Sequence, residues 1–150
     1  MKKIFSFVIL LLVIITVSGC SNKNGATEKE FNNIMKKNGF YVEDISESLI
    51  GDNVKKVVLA TGGTYQIEYY VFTSEDSAKN SFKSNKKIFK NYVKKNTKVK
   101  TTSKNNYDFY SVETSSNYGA IARSGKTLLY TWSKSFNKKD IKKMYNKLNY

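Results

Sequence analysis

The sequence predicts an α+β domain: an antiparallel sheet of about five strands packed with three helices, in the order α-ββ-α-βββ-α. Three observations carry this. Segments with apolar residues at helical spacing open on capping residues at Thr27, Ser74 and Asn137. Five segments rich in β-branched and aromatic residues lie between them. Short turns at Gly62-Gly63 and Ser124-Gly125-Lys126 join neighbouring strands as hairpins, which makes the sheet antiparallel.

The first helix follows Thr27, which forms a capping box with Glu30. Phe31, Ile34 and Met35 share one face, Asn38-Gly39 supplies a left-handed stop, and Phe40 sits where such an end places an apolar contact. Phe40 to Val42 read as a short extended piece before a polar loop. Residues 54–61 and 64–72 form the first hairpin. In its second strand Tyr65, Ile67, Tyr69 and Val71 share one face, and Gln66, Glu68, Tyr70 and Phe72 the other.

The second helix starts near Ser74, with Glu75 and Asp76 at the positive end of its dipole, and runs to about Lys94. Ala78, Phe82, Phe89, Tyr92 and Val93 line its apolar stripe, and a lysine-rich loop is expected to Asn106. Strands follow at 107–114, 118–123 and 127–132, with Leu128, Tyr130 and Trp132 facing inward. The last helix starts at Asn137 with Asp140 in its first turn. Phe136 and Ile141 are placed as a hydrophobic staple.

The first residues carry an address. Met1-Lys2-Lys3 is cationic, and Ile4 to Val17 is apolar except for Ser6 and Thr16. At about 1.5 Å per residue this run reaches roughly 20 Å as a helix, short of the ~30 Å hydrocarbon core of a bilayer. That pattern describes a cleaved signal peptide. It ends in Val17-Ser18-Gly19-Cys20, which resembles the lipobox of bacterial lipoproteins: an aliphatic residue, two small ones and a cysteine. The resemblance implies a diacylglyceryl group on the Cys20 sulfur, cleavage between Gly19 and Cys20, and a lipid anchor on the extracytoplasmic face of the cell membrane. Two acyl chains suffice for stable anchoring. Cys20 is the single cysteine of the chain, so no internal disulfide competes for it.

The expected organisation is a signal peptide over residues 1–19, a lipidated and flexible tether over 20–26, and one domain over 27–150. The short tether should keep the domain close to the bilayer. The mature chain resembles the small uncharacterised lipoproteins of low-GC Gram-positive bacteria in Gly39-Phe40, the aromatic strand from Tyr65 to Phe72 and the helix opening at Ser74 to Ala78. That likeness implies location rather than activity.

Chemistry is sparse. The chain has no histidine, which removes the usual general base near neutral pH and the commonest metal ligand. Its one thiol is assigned to lipid, no phosphate-binding loop is present, and no cofactor or metal is expected. A carboxylate pair such as Glu68 and Glu113 would need tertiary structure to bring it together. The expected function is therefore not enzymatic.

Charge is the stronger signal. Without Lys2 and Lys3, 24 basic residues stand against 12 acidic ones, leaving a net charge of +12. From Ser77 to Tyr107 there are ten lysines and no acid. Lys79, Lys83, Lys86, Lys90 and Lys94 recur at spacings of four, three, four and four, which puts them on one helical stripe. This stripe suits an anionic surface such as lipid headgroups or teichoic acid. It suits still better a solvated helix face in a protein whose A/T-rich codons favour lysine. Nucleic acid is not expected, because base reading favours arginine and Arg123 is the sole one. Tyr70, Phe72, Tyr107, Tyr110 and Tyr118 offer a second idea, an aromatic platform for sugar rings or a peptide. The expected function is a cell-surface lipoprotein that binds a protein partner or an anionic envelope component. The alternative is a substrate-capture module for a transporter or cell-wall enzyme.

Overall fold

A computed structural model describes residues 23–49 and 51–150; the expected signal peptide and Cys20 lie outside them. The elements in chain order are α1 (Glu28–Lys37), β1 (Tyr41–Asp44), α2 (Ser46–Leu49), β2 (Val54–Thr61), β3 (Gln66–Phe72), α3 (Glu75–Lys90), β4 (Lys98–Lys104), β5 (Tyr107–Glu113), β6 (Asn117–Ser124), β7 (Thr127–Lys134) and α4 (Lys138–Lys147), the last preceded by a 3-10 turn. All strands form one antiparallel sheet in the order β1-β2-β3-β7-β6-β5-β4.

This overturns the expected five strands, three helices and α-ββ-α-βββ-α order. Among the described residues there are seven strands and four α-helices, and more residues lie in strands than in α-helices. The two strands beyond the expected five are the edges of the sheet, the first of them overlapping the short extended piece expected at Phe40 to Val42. β1 is only four residues long, and β4 (Lys-Val-Lys-Thr-Thr-Ser-Lys) is polar and mostly exposed. An edge strand buries little side-chain surface and is often guarded by lysine, so it lacks the apolar alternation by which a strand is recognised. The missing helix, α2, is a single turn. The second expected helix also ends early: α3 stops at Lys90, so Lys94 lies beyond it.

The sheet is covered on both faces. Phe31 and Met35 of α1, with Ile141, Met144 and Tyr145 of α4, pack on Val58, Ala60, Ile67, Tyr69, Ala120, Ala122 and Leu129. On the other face Ala78, Phe82 and Phe89 of α3 pack on Phe72, Tyr110, Val112, Ile121 and Leu128. The strands' period of two sorts their side chains between these cores. Tyr69 stacks on Phe31 with centroids 4.8 Å apart, while its neighbour Tyr70 faces α3.

Local signals at the helix ends are met at Thr27, Gly39 and Ser74, the Ser74 hydroxyl accepting from Ser77 N at 3.0 Å. The Thr27 hydroxyl accepts from Glu30 N, and Glu30 accepts from Thr27 N at 2.8 Å. Gly39 adopts φ +82, which lets Phe40 N reach Met35 O at 3.1 Å and seats Phe40 against Tyr65. The expected staple at α4 is not formed, because Phe136 is 72% exposed. Asn137 makes no capping bond either. Its buried side chain donates to Thr64 O at 3.0 Å and Ser133 Oγ at 2.8 Å, and accepts from Thr64 Oγ1 at 2.8 Å. It ties the β2–β3 loop to the end of β7.

The lone arginine is structural. Arg123, 1% exposed, donates through Nε to Asp108 Oδ2 at 2.7 Å and through a terminal nitrogen to Gly125 O at 3.0 Å. Lys56 has a comparable role at the other edge: it meets Asp44 at 2.5 Å and Glu28 at 3.4 Å, joining β2 to β1 and α1.

Two outcomes follow. Asn137→Ala strands the Thr64 carbonyl and should lower stability by about 2 kcal/mol, measured by urea denaturation, without loss of helix in circular dichroism. The Lys56 ammonium, then the Ser46 hydroxyl and amide, hold the Asp44 carboxyl down at about 2. Its folded pKa is depressed, so its contribution is full above the ordinary aspartate range and is lost as pH falls through about 2. An NMR titration of Lys56→Met should show the Asp44 midpoint moving up towards that ordinary range.

Candidate functional site

The chain enters the described domain at Lys23, and the segment up to α1 is built into the fold. Ser124 Oγ donates to Lys23 O at 2.8 Å, Gly25 N to Asn149 O at 3.3 Å, and Tyr69 Oη to Ala26 O at 2.9 Å. Gly25 has φ +61, and a Cβ there would lie 2.8 Å from the Tyr150 ring, so only glycine fits. Ala26 is buried in the core. Residues 23–26 of the expected flexible tether are thus fixed against the sheet and the C-terminal residues.

Beside this entry point lies a cleft of about 300 Å³ between α4 and β4–β5. Tyr107, Phe109, Tyr118, Tyr145 and Tyr150 form its floor, and Lys23, Lys100, Lys104 and Lys142 its rim. The edge strand explains the rim. Alternation along β4 puts Lys98, Lys100, Thr102 and Lys104 on the α4 face, because their partners are Glu113, Ser111, Phe109 and Tyr107. Lys142 comes from α4, and Lys23 from the entry segment.

Positive charge dominates here. Among the described residues no side-chain carboxylate pairs with any of the four lysines. Lys23 Nζ donates to the main-chain oxygen of Tyr150 and lies 5.9 Å from the Tyr107 ring centroid. Partial burial and then the charge of Lys100 lower the pKa of Lys23. Desolvation, then Lys138 and Lys100, lower that of Lys142, against a weaker opposing pull from Glu113. Burial leads in both shifts and neighbouring lysine charge adds to it; a bound anion would favour the charged forms. Glu113, on the same face of the sheet, is taken by Lys138 at 2.5 Å.

The floor holds one unsatisfied group. Tyr118 Oη is buried and makes no hydrogen bond, although Ser111 on the same face lies near enough to offset part of the rise that burial imposes on its pKa. Burial pushes the Tyr107 phenol up to about 12. Tyr145 Oη is satisfied by Ala120 O at 3.0 Å.

The residues singled out from sequence are dispersed. The α3 lysines lie on the opposite face of the sheet from the cleft. Lys79 sits 3.5 Å from Asp76, Lys86 lies over the Tyr110 ring at 5.1 Å, and Lys83 and Lys90 are exposed. The aromatic platform is split by the sheet: Tyr70, Phe72 and Tyr110 face α3, while Tyr107 and Tyr118 line the cleft. Glu68 and Glu113 are likewise on opposite faces, since Glu68 neighbours Tyr70 and Tyr130, whereas Glu113 meets Lys138 of α4. Among the described residues no group of three or more metal-ligating side chains comes together, and no helix is long and apolar enough to cross a membrane. Val17, Ser18, Gly19 and Cys20 lie outside the described residues.

No protein-family model matches the chain, and no curated protein sequence matches it. Among solved structures it is similar to a GTP binding regulator from Thermotoga maritima, with 15% identity over 81% of this chain and 86% of that one and a TM-score of 0.49. That distant likeness has no bearing on function.

The difference between the two floor hydroxyls gives a test. Tyr145→Phe removes a satisfied bond and should cost about 1 kcal/mol, whereas Tyr118→Phe should be within about 0.5 kcal/mol of wild type or more stable. Urea denaturation of the two variants measures both.

Proposed function

We propose that this chain is a non-enzymatic lipoprotein of the extracytoplasmic membrane face, anchored through Cys20, whose domain binds a phosphate-bearing anionic component of the envelope in the cleft rimmed by Lys23, Lys100, Lys104 and Lys142. The anchor rests on the signal peptide and its Val17-Ser18-Gly19-Cys20 ending. The observation that carries the binding reading is the rim itself: four lysines converge over an aromatic floor with no side-chain carboxylate paired to them among the described residues. Ammonium groups make charge-assisted hydrogen bonds to phosphate oxygens, and the tyrosine floor offers apolar surface to the carbon skeleton that carries the phosphate. The separation of Glu68 from Glu113 by the whole sheet supports a binding role over hydrolysis. Nucleic acid is disfavoured, since the single arginine is spent on Asp108.

Cys20→Ala should abolish both lipid labelling and retention in the membrane fraction of cells; a variant still labelled and retained would refute the anchor. Glycerol phosphate titrated into the detergent-solubilised chain should shift the lysine side-chain NMR signals of Lys100 and Lys142. Lys100→Gln combined with Lys142→Gln should weaken that binding at least about tenfold. The control pair Lys83→Gln and Lys90→Gln should leave it unchanged.

A further inference from the structure

We infer that the anion held by this cleft is the headgroup phosphate of an anionic phospholipid in the same bilayer that holds Cys20, so that the domain lies with α4 and the β4 edge against the membrane. This rests on the reading of Cys20 as the lipid anchor. Three residue steps separate Cys20 from Lys23, and an extended chain covers at most about 3.6 Å per step, so their Cα atoms lie within about 11 Å. Lys23 cannot swing away, because its carbonyl is held by Ser124 and its ammonium by the main chain at Tyr150. The anchor therefore delivers the rim of the cleft to the headgroup layer. That reach of about 11 Å is of the same order as the Debye length, roughly 8 Å at physiological salt.

Charge complementarity then selects the face. Beyond the rim, α4 adds Lys139, Lys143 and Lys147 to the same side. Its Asp140 is the only acid on that helix, and Glu113 beneath it is occupied by Lys138. The α3 lysines, by contrast, stand across a sheet and a helix, roughly 20 Å away. A wall polymer extending outward could reach any face of the domain. A headgroup can reach only the side on which the chain is tethered, and that is where the lysine-rimmed cleft lies.

The test uses the lipidated full chain reconstituted into vesicles of phosphatidylcholine alone or mixed with phosphatidylglycerol. Cys20 is consumed by lipid, so Lys143→Cys and Lys83→Cys each provide one site for a fluorophore, read against a headgroup-located quencher, with circular dichroism confirming the fold of each. The label at 143 should be strongly quenched in the anionic vesicles, weakly in phosphatidylcholine, and the label at 83 weakly in both. Adding Lys100→Gln and Lys142→Gln should reduce the docked population about fivefold per lysine removed. Equal quenching at 143 in both vesicle types, or at 83 and 143 alike, overturns the inference. If glycerol phosphate binds the cleft while position 143 stays unquenched, the anion-binding reading stands and the phospholipid assignment falls. If neither occurs, both fall.

Discussion

The central strands β3, β6 and β7 are buried on both faces, and that demand shapes the rest of the molecule. Ile67 and Tyr69 face α1 and α4, while Tyr70 and Phe72 face α3. A sheet with apolar side chains on both sides needs helices on both sides. Covering the middle leaves the edges to solvent. The edges β1 and β4 are accordingly short or polar, and β4 carries lysines that also discourage pairing with another chain.

The chain ends are part of the same construction. Lys23 to Ala26 pack against Asn149, Tyr150 and Ser124, with Gly25 allowing the close approach to the Tyr150 ring. The entry segment and the last residues thus close one end of the α1–α4 layer. Because these contacts fix the point at which the chain enters the domain, they also set how the domain can be presented to whatever holds the residues before it.

The cleft is a consequence of these two features. Its floor is made of Phe109 and of tyrosines whose rings belong to the core. Its rim is made of lysines that the edge strand, α4 and the entry segment bring together from positions 23, 100, 104 and 142. No local stretch contains that set. A hint was present in Lys98-Val99-Lys100, where alternation would put two lysines on one side if the segment were a strand. The density of lysine made it look like a loop.

Much of the middle of the fold was legible: α1 with its capping box, the hairpin strands, the stripe of Ala78, Phe82 and Phe89, and the two-faced pattern of β3. These are local patterns of burial and capping, repeated at the period of helix or strand. The lipobox-like ending at Cys20 is legible for the same reason, as a contiguous motif. Position in the sheet was not legible. Whether a polar segment is an edge strand depends on a neighbour that donates its hydrogen bonds, here β5 for β4 and β2 for β1. Likewise Asn137 had the chemistry of a cap, but Thr64 and Ser133, brought to it by the fold, took its side chain. Sequence alone thus determined the presence of the three longer helices and the inner strands, and it carries the lipobox-like motif. Tertiary structure decided the edges, the fixing of Lys23 and the convergence of the lysines, because each depends on contacts between residues far apart in the chain.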